Sequence, residues 1–271
     1  MIVTAGLRWS SASRTDIGRV RALNEDACLD LPHQGLWAVA DGMGGHTAGD
    51  LASQAIVRAL GSLGTLGTLG TPGAPGASNS LAAIKRAARD TLQTVNQQLR
   101  EEAARRRVRV IGSTVAVLMA SGRECAWLWA GDSRLYLYRD ACLEPLTTDH
   151  SHVAELRAQG HLSAEAARHH PSQHLITRAV GAANWLDLDE GHIAVCDGDC
   201  FLLCSDGLSN EVQAADIARA LEGGDCQLAA DTLVDMALQA GGRDNITAVV
   251  IRVEDPDAAD HTLVNPAVVS P

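Results

Sequence analysis

Four short apolar segments of this 271-residue chain border an aspartate. "LWAVA" (36–40) runs into Asp41, "CAWLWAG" (125–131) into Asp132 and "CFLLCS" (200–205) into Asp206, whereas "ITAVVIRV" (246–253) begins just after Asp244-Asn245. Each run reads as a buried strand. If the last strand runs antiparallel to the others, its start lies beside their ends, and the four carboxylates converge on one edge. Carboxylates sharing a cleft repel one another, so they persist only with protons or cations between them. Oxygen ligands without cysteine or clustered histidine suit hard cations such as Mg2+ or Mn2+. Taken singly, an Asp before Gly, as in Asp41-Gly42 or Asp206-Gly207, is an ordinary turn residue. Its repetition at strand ends is what points to a site.

The glycine-dense stretch "ADGMGGHTAGD" (40–50) raises the alternative of a phosphate cradle. A Walker-type loop needs Lys-Ser/Thr after its last glycine, and here Gly49 is followed by Asp50; the dinucleotide fingerprint fails at Thr47. The segment "DIGRVRALNEDA" (16–27) places Arg21 four residues before Glu25 and Asp26 directly after it. In isolation this is a solvated charge run. Beside a metal cluster, Glu25 becomes a candidate ligand and Arg21 a forked donor for phosphate oxygens.

The elements that must position these residues are legible in part. Leu51, Ala52, Ala55, Ile56, Ala59 and Leu60 recur at helical spacing, as do Leu81, Ile84, Ala88, Leu92, Val95 and Leu99. A third amphipathic stretch runs through Leu228, Leu233, Met236 and Ala237. Strands with helices in two separated clusters suggest sheets covered by helix layers. The tract "GSLGTLGTLGTPGAPGASNS" (61–80) reads as a flexible surface connection. Segment 149–181, with six of the ten histidines, reads as an excursion beside the core, and 255–271 as an exposed tail.

Composition bounds the rest. Apolar residues make up 46% of the chain, enough for a substantial core, and 22 basic against 33 acidic residues give a net charge of −11. That balance disfavours nucleic acid and anionic membranes as partners. Seven cysteines form no C-x-x-C pair, which fits small core residues in a reducing compartment. The N-terminus lacks a basic start followed by an apolar run, and no stretch approaches the ~18 apolar residues of a membrane span. A soluble cytoplasmic protein is expected.

The ordered set "DIGRVRALNEDA", "VADGMGGH", "GSTVAVLMA", "AGDSRLYLYRD", "LTTDHS", "HHPSQHLITRAVG", "LLCSDGLSNEV" and "GGRDNITAVVI" resembles the metal-dependent PPM protein phosphatases, the protein phosphatase 2C group in its bacterial form. Any one motif is weak, but eight in the right order are specific, and they run from about Ser13 to Val253. The resemblance implies an α+β fold: a four-layer α-β-β-α sandwich of two antiparallel sheets flanked by helices, with one catalytic domain over 1–254 and a small flap subdomain over about 149–181. It implies two or three divalent cations, Mn2+ or Mg2+. Asp41 then resembles the residue bridging both metals, and the Gly42 carbonyl completes one site. Glu25 resembles a ligand of the second metal and Asp26 a neighbour holding metal-bound water. Asp206 and Asp244 resemble ligands of the first metal, Asp132 with Asp206 those of a third, weaker one, and Arg21 the phosphate-binding arginine. The implied reaction is hydrolysis of phosphoserine or phosphothreonine by a hydroxide bridging the metals, with no covalent phosphoenzyme; no C-x5-R nucleophile loop is present.

Two positions depart from parts of the family. Met43 stands where eukaryotic members carry a histidine proposed as general acid, whereas bacterial members share the Met and place a histidine at the position of His46. His46 would donate a proton, contact substrate or cap the helix start. Asn210 stands where some members have a third-metal Asp, which weakens that site alone. The leading reading is a monomeric phosphatase acting on phosphoprotein substrates and opposing a cognate bacterial Hanks-type Ser/Thr kinase, as in type VI secretion control. The alternatives are a phosphatase-like module that binds phosphoprotein without turnover, and a hydrolase of small phosphoesters.

Overall fold

The computed structural model describes residues 7–44, 48–65, 80–163, 166, 170–172, 175–256 and 258. One sheet has the order β1 (Arg8–Asp16), β11 (Ile246–Glu254), β10 (Cys200–Cys204), β7 (Arg134–Arg139), β8 (Cys142–Pro145). The other runs β2 (Asp26–Leu31), β3 (Leu36–Met43), β5 (Val115–Ser121), β6 (Glu124–Ala130), β9 (Asp189–Ala194), with β4 (Gly112–Ser113) paired to the end of β3. Every pairing is antiparallel.

The apolar runs are strands buried on both faces, which is why they read as unbroken rather than alternating. Leu36, Ala38 and Ala40 of β3 turn to one core, with α1 (Gly49–Thr65) and α2 (Leu81–Arg106), while Trp37 and Val39 turn to the core between the sheets. In β10, Phe201 and Leu203 enter that central core. Its Cys200, Leu202 and Cys204 face α5 (Ala214–Glu222) and α6 (Cys226–Ala240). Three stacked cores thus make four layers, α-β-β-α. Of two shorter helices, α3 (His152–Ala158) lies in the 149–181 segment, and α4 (Asp206–Ser209) puts Leu208 into the core beneath α5 and α6.

The register brings the flagged strand ends together. Cys204 pairs with Ala248, so the start of β11 lies beside the end of β10. Val115 pairs with both the β6 terminus, Ala130, and follows the β3–β4 contact at Gly42 and Ser113, so β3 and β6 end on one edge of the second sheet.

Two local expectations change, and one strand carries no sequence signal. The inward face of α6 is Cys226, Ala229, Ala230, Leu233, Val234 and Ala237, whereas Leu228 is 64% exposed, because the five-residue step from 228 to 233 is out of phase with a 3.6-residue turn. Helix α1 continues into the Gly-rich tract as far as Thr65, since Leu63 extends the stripe of Ile56 and Leu60; residues 66–79 lie outside the described residues. Strand β1, "RWSSASRTD", contributes only Ala12 to the fully buried apolar set, so no hydrophobic run announces it.

Phe201, with no exposed surface between the sheets, sets a test of this layering. Phe201→Ala is expected to cost about 3–5 kcal/mol in urea unfolding, and Leu228→Ser less than about 0.5 kcal/mol. Comparable losses at both positions would contradict the assignment of faces.

Candidate metal centre

The two sheets meet at the edge where β3, β6 and β10 end and β11 begins, and the acids gather there. Asp41 sits near the end of β3, paired with Asp26 at the start of β2. Asp132 lies in the β6–β7 turn, Asp206 opens α4, and Asp244 precedes β11. They sense one another strongly. The Asp41 carboxyl is held well above the usual carboxylate range, chiefly by burial and then by the charges of Asp26, Asp206, Asp132 and Asp244. Burial, with repulsion from Asp206 and Asp244, pushes Asp26 up to about 7 against the pull of hydroxyls from Thr247 and Ser205. Burial, then Asp206 and Asp149, pushes Asp132 up to about 7.

Each acid is held by neighbours that strand-end reasoning did not single out. Asp26 Oδ2 accepts from Ser205 Oγ at 2.8 Å and Thr247 Oγ1 at 2.7 Å. Its Oδ1 is buried with no hydrogen-bond partner. Asp41 is braced by Thr114, whose N–H donates to the Asp41 carbonyl at 2.9 Å and whose Oγ1 accepts from the Asp41 N–H at 3.0 Å. The same hydroxyl lies 2.7 Å from Ser133 Oγ, beside Asp132. Asn245, 5% exposed, accepts from the Glu25 N–H at 2.8 Å and donates to the carbonyls of Ile17 and Leu23, both at 2.9 Å. That one side chain therefore closes the 17–25 loop beside Asp244. The available signal was adjacency: Ser205, Asn245 and Thr114 flank or face flagged acids in the motifs "SDG", "RDN" and "GST".

Glu25 reaches the same corner from that loop. Its Oε1 accepts from the Gly49 N–H at 3.2 Å, and its carbonyl accepts from the Gly42 N–H at 3.1 Å. A Cβ on Gly42 would meet the Gly49 carbonyl oxygen at 2.1 Å, and one on Gly49 would meet Glu25 Oε1 at 2.4 Å. Both glycines are needed for three backbone segments to pass this closely. Arg21 donates from Nη2 to Asp244 Oδ2 at 2.6 Å, and that hydrogen bond, with the charges of Asp244, Asp41 and Glu25, raises its pKa. His46 lies outside the described residues. Asn210 donates to Asp206 Oδ2 at 3.1 Å.

Among the described residues, no three acids or imidazoles are drawn in to chelate a single point. The acids are spread along the ends of β3, β6 and β10 and the start of β11. Its donors are oxygens, with one buried oxygen unpartnered and two carboxyls retaining protons near neutrality. The thiol of nearby Cys204, pushed up to about 12 by burial, is no competitor. This set fits hard divalent cations.

Cations and protons then compete for the same carboxyls. Asp26 and Asp132, at about 7, keep their protons at pH 6 and lose them by pH 8. The rise in melting temperature on adding Mn2+ is expected to be larger at pH 8 than at pH 6 in a thermal scan; an equal rise would contradict the coupling. Gly49→Ala, by displacing Glu25, should weaken Mn2+ binding about 10-fold in calorimetric titration.

The protein phosphatase 2C sequence family matches residues 18–230. The serine/threonine protein phosphatase PstP of Mycobacterium tuberculosis is 36% identical over 258 residues, 94% of this chain, which spans about half of that relative, 46%. Protein phosphatase PhpP of Streptococcus pneumoniae is 32% identical over 90% of this chain and 97% of its own length. Among solved structures, PppA, a key regulatory component of T6SS in Pseudomonas aeruginosa, is 43% identical with a TM-score of 0.80, covering 90% of this chain and 97% of that one. The catalytic domain of PstP in complex with 2 manganese ions is 34% identical with a TM-score of 0.78, covering 92% and 100%. No helix among the described residues is long and apolar enough to cross a membrane. With the match running through most of the fold and all of the acid-bearing motifs up to α4, the chain belongs to the protein phosphatase 2C family of metal-dependent serine/threonine protein phosphatases.

Proposed function

We propose that this chain hydrolyses phosphoserine and phosphothreonine in proteins, with Asp41, Glu25, Asp206, Asp244 and the Gly42 carbonyl holding two divalent cations and Asp132 with Asp206 a weaker third. The observation that carries this reading is the gathering of Asp26, Asp41, Asp132, Asp206 and Asp244 at the ends of both sheets, where Asp26 pairs with Asp41 and β11 begins beside the end of β10. Bound cations supply Lewis acidity, which lowers the pKa of water and offsets charge on the phosphoryl oxygens.

The protein's own residues do the rest. Arg21, tethered through Nη2 to Asp244 with about half its side chain exposed, presents its remaining N–H groups to phosphate oxygens. Asp26, whose Oδ2 is taken by two hydroxyls, offers Oδ1 to orient the attacking water and accept its proton. Water adds to phosphorus, the bond to the serine or threonine oxygen breaks, and that oxygen takes up a proton. We assign the donor role to His46, with helix capping as the other reading. Segment 149–181 serves as the flap bordering the cleft.

The similarity to PppA supports a place in type VI secretion control, and the family resemblance of the motifs suggests that it opposes a Ser/Thr kinase. Seven free cysteines support work in a reducing compartment, the cytoplasm.

Phosphate release from a phosphothreonine peptide is expected with Mn2+, to stop with chelator, and to fall roughly 10²–10³-fold in Asp206→Asn. Arg21→Ala should raise KM by about 10-fold or more. Activity that survives both chelation and Asp206→Asn would overturn the metal mechanism, and peptide binding without release would favour a non-catalytic phosphoprotein-binding module. A His46→Ala profile in which the loss shrinks with better leaving groups supports proton donation; a uniform loss contradicts it.

A further inference from the structure

His150 is a buried ring, 7% exposed, that the reaction above does not use. It opens the 149–181 segment and faces the turn that carries Asp132. Both polar backbone groups of Gly131 are bonded to it: the Gly131 N–H donates to His150 Nδ1 at 3.2 Å, and the His150 N–H donates to the Gly131 carbonyl at 2.9 Å. The carbonyl bond comes from the His150 main chain and fixes the Gly131–Asp132 peptide plane, while the ring's own bond, to the Gly131 N–H, fixes the Ala130–Gly131 plane that leads into it. The ring stacks on Trp129, centroids 5.7 Å apart and planes 3° apart, which blocks rotation about its long axis.

The other ring nitrogen completes the pin. Nδ1 accepts from Gly131, so the neutral ring carries its proton on Nε2, 3.1 Å from Asp189 Oδ2. Arg178 donates to Asp189 Oδ1 at 2.7 Å and holds that carboxylate in place. Arg178 lies on the returning root of the same segment. Two residues on, Val180 exchanges backbone hydrogen bonds with Ser113 at 3.0 and 2.9 Å, next to Thr114, which braces Asp41. The outgoing root is fastened equally: Arg134, just after the Asp132 turn, makes a two-pronged pair with Asp149 at 2.8 and 2.7 Å.

We propose that His150, as the neutral Nε2–H tautomer held by Asp189 and Arg178, is a positioning residue that sets the Gly131–Asp132 turn and locks both roots of segment 149–181 to it. Burial lowers the pKa of His150, which favours the neutral ring the geometry requires. A protonated ring would set donor against donor at Gly131. The inference rests on the reading of Asp132 as a cation-facing acid only for its effect on metal binding, and not for the tautomer.

Two measurements test it. In the unaltered protein, long-range ¹H–¹⁵N correlation of the histidine rings should show His150 with a protonated Nε2 and an unprotonated Nδ1. The opposite tautomer overturns the proposal whatever the metal does. In Mn2+ titration followed by electron paramagnetic resonance, His150→Phe, which keeps a ring against Trp129 and the main-chain bond to Gly131 but loses both bonds of the ring nitrogens, should weaken the lowest-affinity ion about 10–100-fold and leave the tighter ions unchanged. His150→Asn, which restores an acceptor for Gly131, should recover part of that loss. Equal weakening of all ions, or no rescue by Asn, would mark a merely structural ring and overturn the positioning role.

Discussion

Repulsion among carboxylates crowded at the mouth of the sandwich is the constraint on which the rest depends. Two like charges about 4 Å apart in a medium of effective dielectric near 20 repel by about 4 kcal/mol. A domain's whole stability is about 5–15 kcal/mol. Asp26 and Asp132 answer by retaining protons into the neutral range, and Asp41 by a pKa held well above the ordinary carboxylate value, the response expected of acids that have lost water and gained like-charged neighbours. Such a cluster has an intrinsic demand for positive charge. Arg21 on Asp244 meets a small part of it at the rim, and divalent cations are the natural answer at the centre.

Several features of the fold serve to hold that unfavourable cluster in place. The strands that end at it are buried on both faces, so their ends cannot relax apart without opening two cores at once. Thr114 couples Asp41 to the Asp132 turn, Ser205 and Thr247 grip one oxygen of Asp26, and Asn245 binds the Glu25 loop to β11. None of these side chains is charged. They position acids without adding to the repulsion, a role suited to hydroxyls and amides.

The parts legible in the sequence were those with a strong local signature. An apolar run buried on both faces and an acid at its end are readable without partners, so β3, β6, β10, β11 and the convergence of Asp41, Asp132, Asp206 and Asp244 follow from pattern and one assumption about strand direction, which the Cys204–Ala248 pairing bears out. The α-β-β-α layering, implied by the resemblance to the phosphatase family, is also what the three cores display. What stayed hidden lacks local character. Strand β1 is serine-rich and owes its place to nine paired positions along β11. Thr114, Ser205 and Asn245 are ordinary polar residues until the fold puts acids beside them. The face of α6 was misjudged at Leu228 because apolar residues occur off the inward stripe too, and only packing chooses among phases.

We propose that the acid cluster holds divalent cations between the ends of the two sheets. Anomalous diffraction at the manganese edge, from crystals equilibrated with Mn2+, tests it most directly. Two strong peaks are predicted, both within about 2.5 Å of the Asp41 carboxylate, one shared with Asp206 and Asp244 and the other with Glu25. Peaks lying elsewhere on the acidic surface, with none against Asp41 at saturating Mn2+, would rule out a cation site at these sheet ends.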